Sequence, residues 1–276
     1  MNRTSMRLLE MEMLESRDLP AGTVTVTQTG TALRLVGDSL ANSVVVTATG
    51  PNSLSLRAEN GTTIVGPTRV AAISRVYLDL RDGDDNVVIE SRRPFQGSIV
   101  VSLGRGNDKL AIGFGRYHGS VLVIDEQGDN TIHLFGGQFY GDVVVNTGSG
   151  NDAVHAFASQ FYRRWQLNTD GGNDIVTIAG CQATGPLSGD LGAGNDELHI
   201  GLSSLRSSVR FDMGDGNDRV NLVFTGFAME GEAAQFIGGP GFDIIEMTGV
   251  FGMVSTQGFE REIGSPFLPL SGPQNP

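Results

Sequence analysis

From about residue 75 to 250 the apolar positions alternate in short runs and do not recur at helical spacing. Leu110/Ile112, Ile132/Leu134, Val154/Ala156, Val176/Ile178, Leu198/Ile200 and Val220/Leu222 are pairs two residues apart, the period of a β-strand with one buried face. A second set, Val121/Val123, Val143/Val145, Trp165/Leu167 and Val209/Phe211, predicts another strand of the same kind. Between the two lies a polar, glycine-rich turn. It recurs as RDGDDNVVI (81–89), GRGNDKLAI (104–112), EQGDNTIHL (126–134), GSGNDAVHA (148–156), DGGNDIVTI (170–178), GAGNDELHI (192–200), GDGNDRVNL (214–222) and GPGFDIIEM (239–247).

The shared glycines are Gly83, Gly106, Gly128, Gly150, Gly172, Gly194, Gly216 and Gly241, spaced by 23, then five times by 22, then by 25. Five equal spacings define a structural repeat and predict eight stacked coils. A third column, Tyr117, Phe139, Phe161, Ala183, Leu205 and Phe227, reads as an inward stack. Three short strands and three corners per coil predict an all-β chain folded as a right-handed parallel β-helix, or solenoid. With coils about 4.8 Å apart the rod is roughly 38 Å long.

Stacking gives the remaining columns their expected roles. Gln138, Gln160 and Gln182 form an exposed amide ladder. Cys181 shares a column with Gly115, Gly137, Ser159, Ser203 and Thr225, where a small residue fills a tight corner. His133, His155 and His199 point outward; two adjacent imidazoles are too few for a dedicated transition-metal site. Arg163 and Arg164 beside Tyr162, near His118, Tyr140 and Arg206, read either as a glycan-binding patch or as solvated side chains.

The solenoid spans 75–250. Residues 1–21 read as an N-terminal sorting-like segment, 22–74 as a non-repeating β cap, 251–263 as a C-terminal cap and 264–276 as a Pro-rich disordered tail.

Composition narrows the function classes. The 39 glycines among 276 residues favour a turn-rich architecture. A net charge of -12 argues against nucleic acid as a partner and is compatible with cation binding. One cysteine excludes an intrachain disulfide framework, and no apolar run has the roughly 18 residues of a membrane span. No nucleophile motif or phosphate loop is present, so a non-enzyme is expected.

Stacking also sets Asp85, Asp108, Asn130, Asp152, Asp174, Asp196, Asp218 and Asp243 in one line. A second polar line, Asp79, Asn146, Asn168, Asp190 and Asp212, runs beside it. Carboxylates one rung apart repel by roughly 1 kcal/mol in water and roughly 3 at an effective dielectric near 20. Summed along a column, that is large beside a net stability of about 5 to 15 kcal/mol. A hard cation between loops reverses the sign, and glycine corners with carboxylates and no sulfur or imidazole suit calcium.

GSGNDAV, GAGNDEL, GDGNDRV and GGPGFDIIE (238–246) resemble the hemolysin-type, or RTX, calcium-binding repeat. The resemblance implies Ca2+ held between successive turns by loop carbonyls and by Asp85, Asp108, Asp152, Asp174, Asp196, Asp218 and Asp243. It also implies an exported or cell-surface protein. The family's tandem nonapeptides give two calcium loops per turn, whereas each 22-residue coil here has one, so a one-sided rod is expected. The third coil, EQGDNTI, exchanges acid and amide, and the first carries Asp82 in place of glycine. The segment around Leu14, Glu15, Arg17, Leu19 and Ala21 resembles the LEPR-type N-terminal motif of bacterial surface proteins, with Ser16 where that motif has proline.

Two alternatives stand beside this reading. In a metal-free β-helix glycine shapes the corner, Asn ladders along it and Asp caps backbone N–H groups. At the level of function, a carbohydrate-active or glycan-binding parallel β-helix is the other reading.

Overall fold

The computed structural model describes residues 22–228 and 233–264; the sorting-like segment and nearly all of the tail lie outside the described residues. Among those described there is no helix, and therefore none long and apolar enough to cross a membrane. The chain is a β-solenoid of about eight coils. Strands before each loop pair in parallel into a twelve-stranded sheet, and strands after it into a sixteen-stranded sheet.

Register follows the 22-residue period. Leu110 pairs with Ile132, Ile132 with Val154, Val154 with Val176, Val176 with Leu198 and Leu198 with Val220. Across the rod Val121, Val143, Trp165, Leu187 and Val209 stack the same way. Each expected inward pair is buried, because period-two alternation turns every second side chain to the same face.

The third face is short. Gln160–Phe161, Gln182–Ala183, Ser204–Leu205 and Gly226–Phe227 pair in series. Their aromatic column is buried and stacked: Tyr117 on Phe139 at 5.2 Å, Phe139 on Phe161 at 5.1 Å, and Phe161 against Trp165 at 3.7 Å. Gly189 faces inward where neighbouring coils carry Leu167 and Phe211, and a Cβ on it would lie 2.3 Å from the Phe211 ring. The small residue makes room for the large one above it.

The corner columns hold as expected. Cys181 is buried, its Sγ 3.4 Å from the Ala156 carbonyl oxygen, and burial pushes the thiol up to about 11. Ser159, Ser203 and Thr225 donate from the same column to the carbonyl two residues earlier, at 2.9 to 3.1 Å. The expected amide ladder forms only in part: Gln138 donates to Gln160 at 3.0 Å, and Gln160 Oε1 accepts from the Tyr162 hydroxyl, with no side-chain bond to Gln182.

The N-terminal region is more regular than its sequence suggests. Thr23–Thr29 and Ser53–Ala58 are antiparallel hairpin strands, as a cap requires. Ala32–Val36 and Ser43–Gly50, however, stack in parallel register on the first repeat coil. Their loop, GDSLAN (37–42), lacks the repeat's signature because, among the described residues, no equivalent loop stacks beneath it; Gly22 and Thr23 donate instead to the Ala41 carbonyl and to Asp38 Oδ2. Leu40 occupies the place that glycine must take wherever a coil lies below. At the other end Val254–Gln257 and Arg261–Ile263 add a last rung, exposed and charged.

Candidate functional site

The repeated loop is built on glycine for a steric reason. The eight shared glycines have φ between 121° and 153°, a region that L-residues avoid. From Gly106 to Gly241, a Cβ would lie 1.4 to 2.1 Å from the carbonyl oxygen of the equivalent glycine one coil earlier. These carbonyls therefore line up along the loop edge. The residue before each of the first seven glycines forms a parallel bridge to its neighbours, from Asp82 with Arg105 through to Ala193 with Asp215.

Two ladders run through the loops in opposite directions. In the exposed one, the backbone N–H of Asn107 donates to Asp84 Oδ1, Asp129 to Asn107, Asn151 to Asp129, Asn173 to Asn151, Asn195 to Asn173 and Asn217 to Asn195. Each side chain there accepts from the following coil. In the buried one, each side chain accepts from the preceding coil: Asp85 N–H donates to Asp108 Oδ1, then Asp108 to Asn130, Asn130 to Asp152, Asp152 to Asp174, Asp174 to Asp196, Asp196 to Asp218 and Asp218 to Asp243, at 2.7 to 2.9 Å. Asn42 begins this ladder by donating to Asp85, and Glu260 ends it by accepting from Asp243.

All seven expected aspartates thus stand in one column, and each is at most 2% exposed. Their Oδ1 atoms do what the metal-free alternative assigns to them, capping backbone N–H groups. Their Oδ2 atoms do not: those of Asp85, Asp108, Asp152, Asp174, Asp196, Asp218 and Asp243 are buried without a hydrogen-bond partner in good geometry, although the Thr147 and Thr169 hydroxyls lie near enough to Asp152 and Asp174 to lower their pKa values in part. Loss of solvation is the main cause of raised pKa values along the column. It brings Asp85 to about 8, Asp196 to about 7, and Asp108, Asp152 and Asp218 to about 6. Asp174 and Asp243 are raised for the same reason. The backbone N–H bond pulls each value partly back, and neighbouring carboxylates add to the rise.

Asn130 shows what surrounds the second oxygen. Its Nδ2 occupies the place of Oδ2 in the other coils, and it donates to the Gly128 carbonyl at 2.8 Å and Asp125 Oδ2 at 2.6 Å, with the Thr147 carbonyl at 3.5 Å. The pocket is therefore lined by acceptors. Asp125, raised to about 7 chiefly by burial, was missed by the sequence analysis. The only available signal was an acid in a column otherwise holding Leu80, Leu103, Thr147, Thr169, Leu191, Met213 and Gly238.

Among the described residues no three acidic, histidine or cysteine side chains converge on one point. A cation here would be held by one carboxylate oxygen per loop together with backbone carbonyls. Beside the loops, Asp125, Asn146, Gly148, Gln166, Asn168, Asp170, Asp190 and Gly192 line an open polar cleft of about 630 Å³, with Asn168 donating to Asn146 at 2.7 Å. The histidine column is half-buried, with His133 stacked on His155 at 5.2 Å. On the third face His118, Tyr140 and Tyr162 stack on one another at 4.7 and 4.5 Å, while Arg164 reaches Asp142 at 3.7 Å.

Fold and site define an all-β solenoid with a buried acidic column beneath a glycine-rich loop edge. Comparison with protein-family models, with curated proteins and with solved structures gave no match.

Proposed function

We propose that this is a non-enzymatic calcium-binding repeat protein, exported or displayed at the cell surface, whose rod is stabilised by Ca2+ along the Asp85–Asp243 column. The observation that carries the reading is the choice of acid over amide. The backbone ladder needs only an acceptor oxygen, and Asn130 supplies one at 2.9 Å. Asparagine would also satisfy its second atom, as Asn130 does, whereas seven aspartates leave a buried oxygen unpartnered. Once pH exceeds the raised pKa values of these groups, keeping an unpaired buried charge is costly. A hard cation, bound by carboxylate and carbonyl oxygens, removes that cost.

Asp85, Asp108, Asp152, Asp174, Asp196, Asp218 and Asp243 would hold the ions, with the glycine carbonyls as further donors. The hemolysin-type resemblance of the loops and the net charge of -12 support this reading, and the LEPR-like segment supports export. A glycan-binding or carbohydrate-active rod has weaker support. The His118–Tyr140–Tyr162 rings cover one another's faces, leaving mainly their edges for a sugar.

The test is thermal melting in chelator and in millimolar calcium. A site with Kd of about 10⁻⁴ M contributes about 1.4 kcal/mol at about 1 mM free ion, so several sites raise Tm by many degrees. An unchanged Tm would sink the proposal. Asp152→Asn with Asp174→Asn keeps the backbone ladder and lowers the number of ions bound, measured by equilibrium dialysis.

A further inference from the structure

The third coil departs from the others at two positions at once. It alone has Asn in the buried column of the repeat coils, and it alone has an acid five residues earlier, at Asp125. The two side chains meet: Asn130 Nδ2 donates to Asp125 Oδ2 at 2.6 Å and to the Gly128 carbonyl at 2.8 Å. Both residues are at least nine-tenths buried; Asp125 Oδ2 is held by the amide, while its Oδ1, like the Oδ2 atoms of the column, has no hydrogen-bond partner.

We infer that this pair is a metal-free rung, in which the N–H groups of Asn130 Nδ2 point where the cation would lie and Asp125 supplies a carboxylate to accept from them. The inference rests on the calcium reading of the column and adds where the column is interrupted. An N–H2 group and a hard cation have the same partners here, carbonyl and carboxylate oxygens. An amide already donating into that pocket leaves no lone pair facing its centre, so the rung excludes Ca2+. The bound ions are thereby divided into a short group at Asp85 and Asp108 and a long group from Asp152 to Asp243.

The pair lies within one coil, so it can be removed or moved. Asn130→Asp with Asp125→Thr converts coil three to the pattern of coil four, where Thr147 precedes Asp152. Asp174→Asn with Thr169→Asp writes the pattern of coil three into coil five. Equilibrium dialysis against calcium and melting in chelator are measured for both and for the natural chain. The inference predicts about one more ion per chain for the first variant, with a lower Tm in chelator. It predicts about one fewer ion for the second, with a Tm in chelator no lower than that of the natural chain. Should the first variant fail to fold, the second decides by its Tm in chelator, because loss of the Asp174 carboxylate alone would also remove an ion. Unchanged ion counts in a chain that does bind calcium would overturn the inference and leave the calcium reading standing. Absence of any uptake by the natural chain would overturn the calcium reading. The chelator melts would then still decide whether the amide closes its rung, and a second variant less stable than the natural chain would reject it.

Discussion

At Gly172 the backbone takes φ 141° and a Cβ would come within 1.8 Å of the Gly150 carbonyl oxygen, whereas at Gly171 φ is not positive and the nearest atom is 3.7 Å away. Gly172→Ala should therefore cost more than about 2 kcal/mol through strain and overlap, while Gly171→Ala, at a position where coils four and six carry Ser149 and Ala193, should be neutral or slightly stabilising. Urea unfolding of the two variants checks this, and equal costs would refute the steric account. The glycine column was legible in the sequence as a spacing. Its cause, a row of close carbonyls, was not, because the approach depends on the neighbouring coil. The orientation of the aspartates was equally hidden: a loop residue can face solvent or core, and only the stacked backbone N–H fixes Oδ1 inward. Asp125 was illegible for a related reason, since one acid in a column of apolar residues, glycine and threonine looks like a surface residue until its partner Asn130 is placed.

The buried ladder behaves as one element, spanning every loop from Asn42 to Glu260. Its aspartates have folded pKa values above the unfolded value near 4, so the folded chain binds protons more tightly than the unfolded chain. The sign follows from linkage: their contribution is fully present below about pH 4 and is lost as pH rises through about 6 to 8. In calcium-free buffer the urea midpoint should accordingly fall between pH 5 and pH 8, and Asp196→Asn should flatten the slope. A profile that rises over this window would contradict the burial described here. Calcium acts at the same oxygens and should oppose the loss at the alkaline end. The strands that carry the ladder were read correctly, because alternation and a 22-residue period both point to their inner faces. The parallel rung at Ala32–Val36 and Ser43–Gly50 was read as non-repeating for want of a glycine it does not need.

For the whole molecule, the open ends decide whether rods stay separate. The N-terminal end is closed by hairpins and by short strands such as Thr63–Val65 and Arg69–Val70. The C-terminal end presents Arg261–Ile263, exposed and charged, which suits an edge that must not recruit another chain. Truncation after residue 250 would strip this rung and the Glu260 acceptor, uncovering the parallel strands Ala234–Ile237 and Ile244–Thr248. Such a chain should self-associate in a concentration-dependent way by light scattering; a strictly monomeric product would show that the last rung has no blocking role. A rod of similar coils faces one more hazard, that of pairing a whole coil out of step while burying almost the same surface. Phe211 fills the space that the absent side chain of Gly189 leaves, and a strand displaced by one coil or two would set it beside Leu167 or Val145 without that space. One missing side chain thus lets a chain of near-identical turns count.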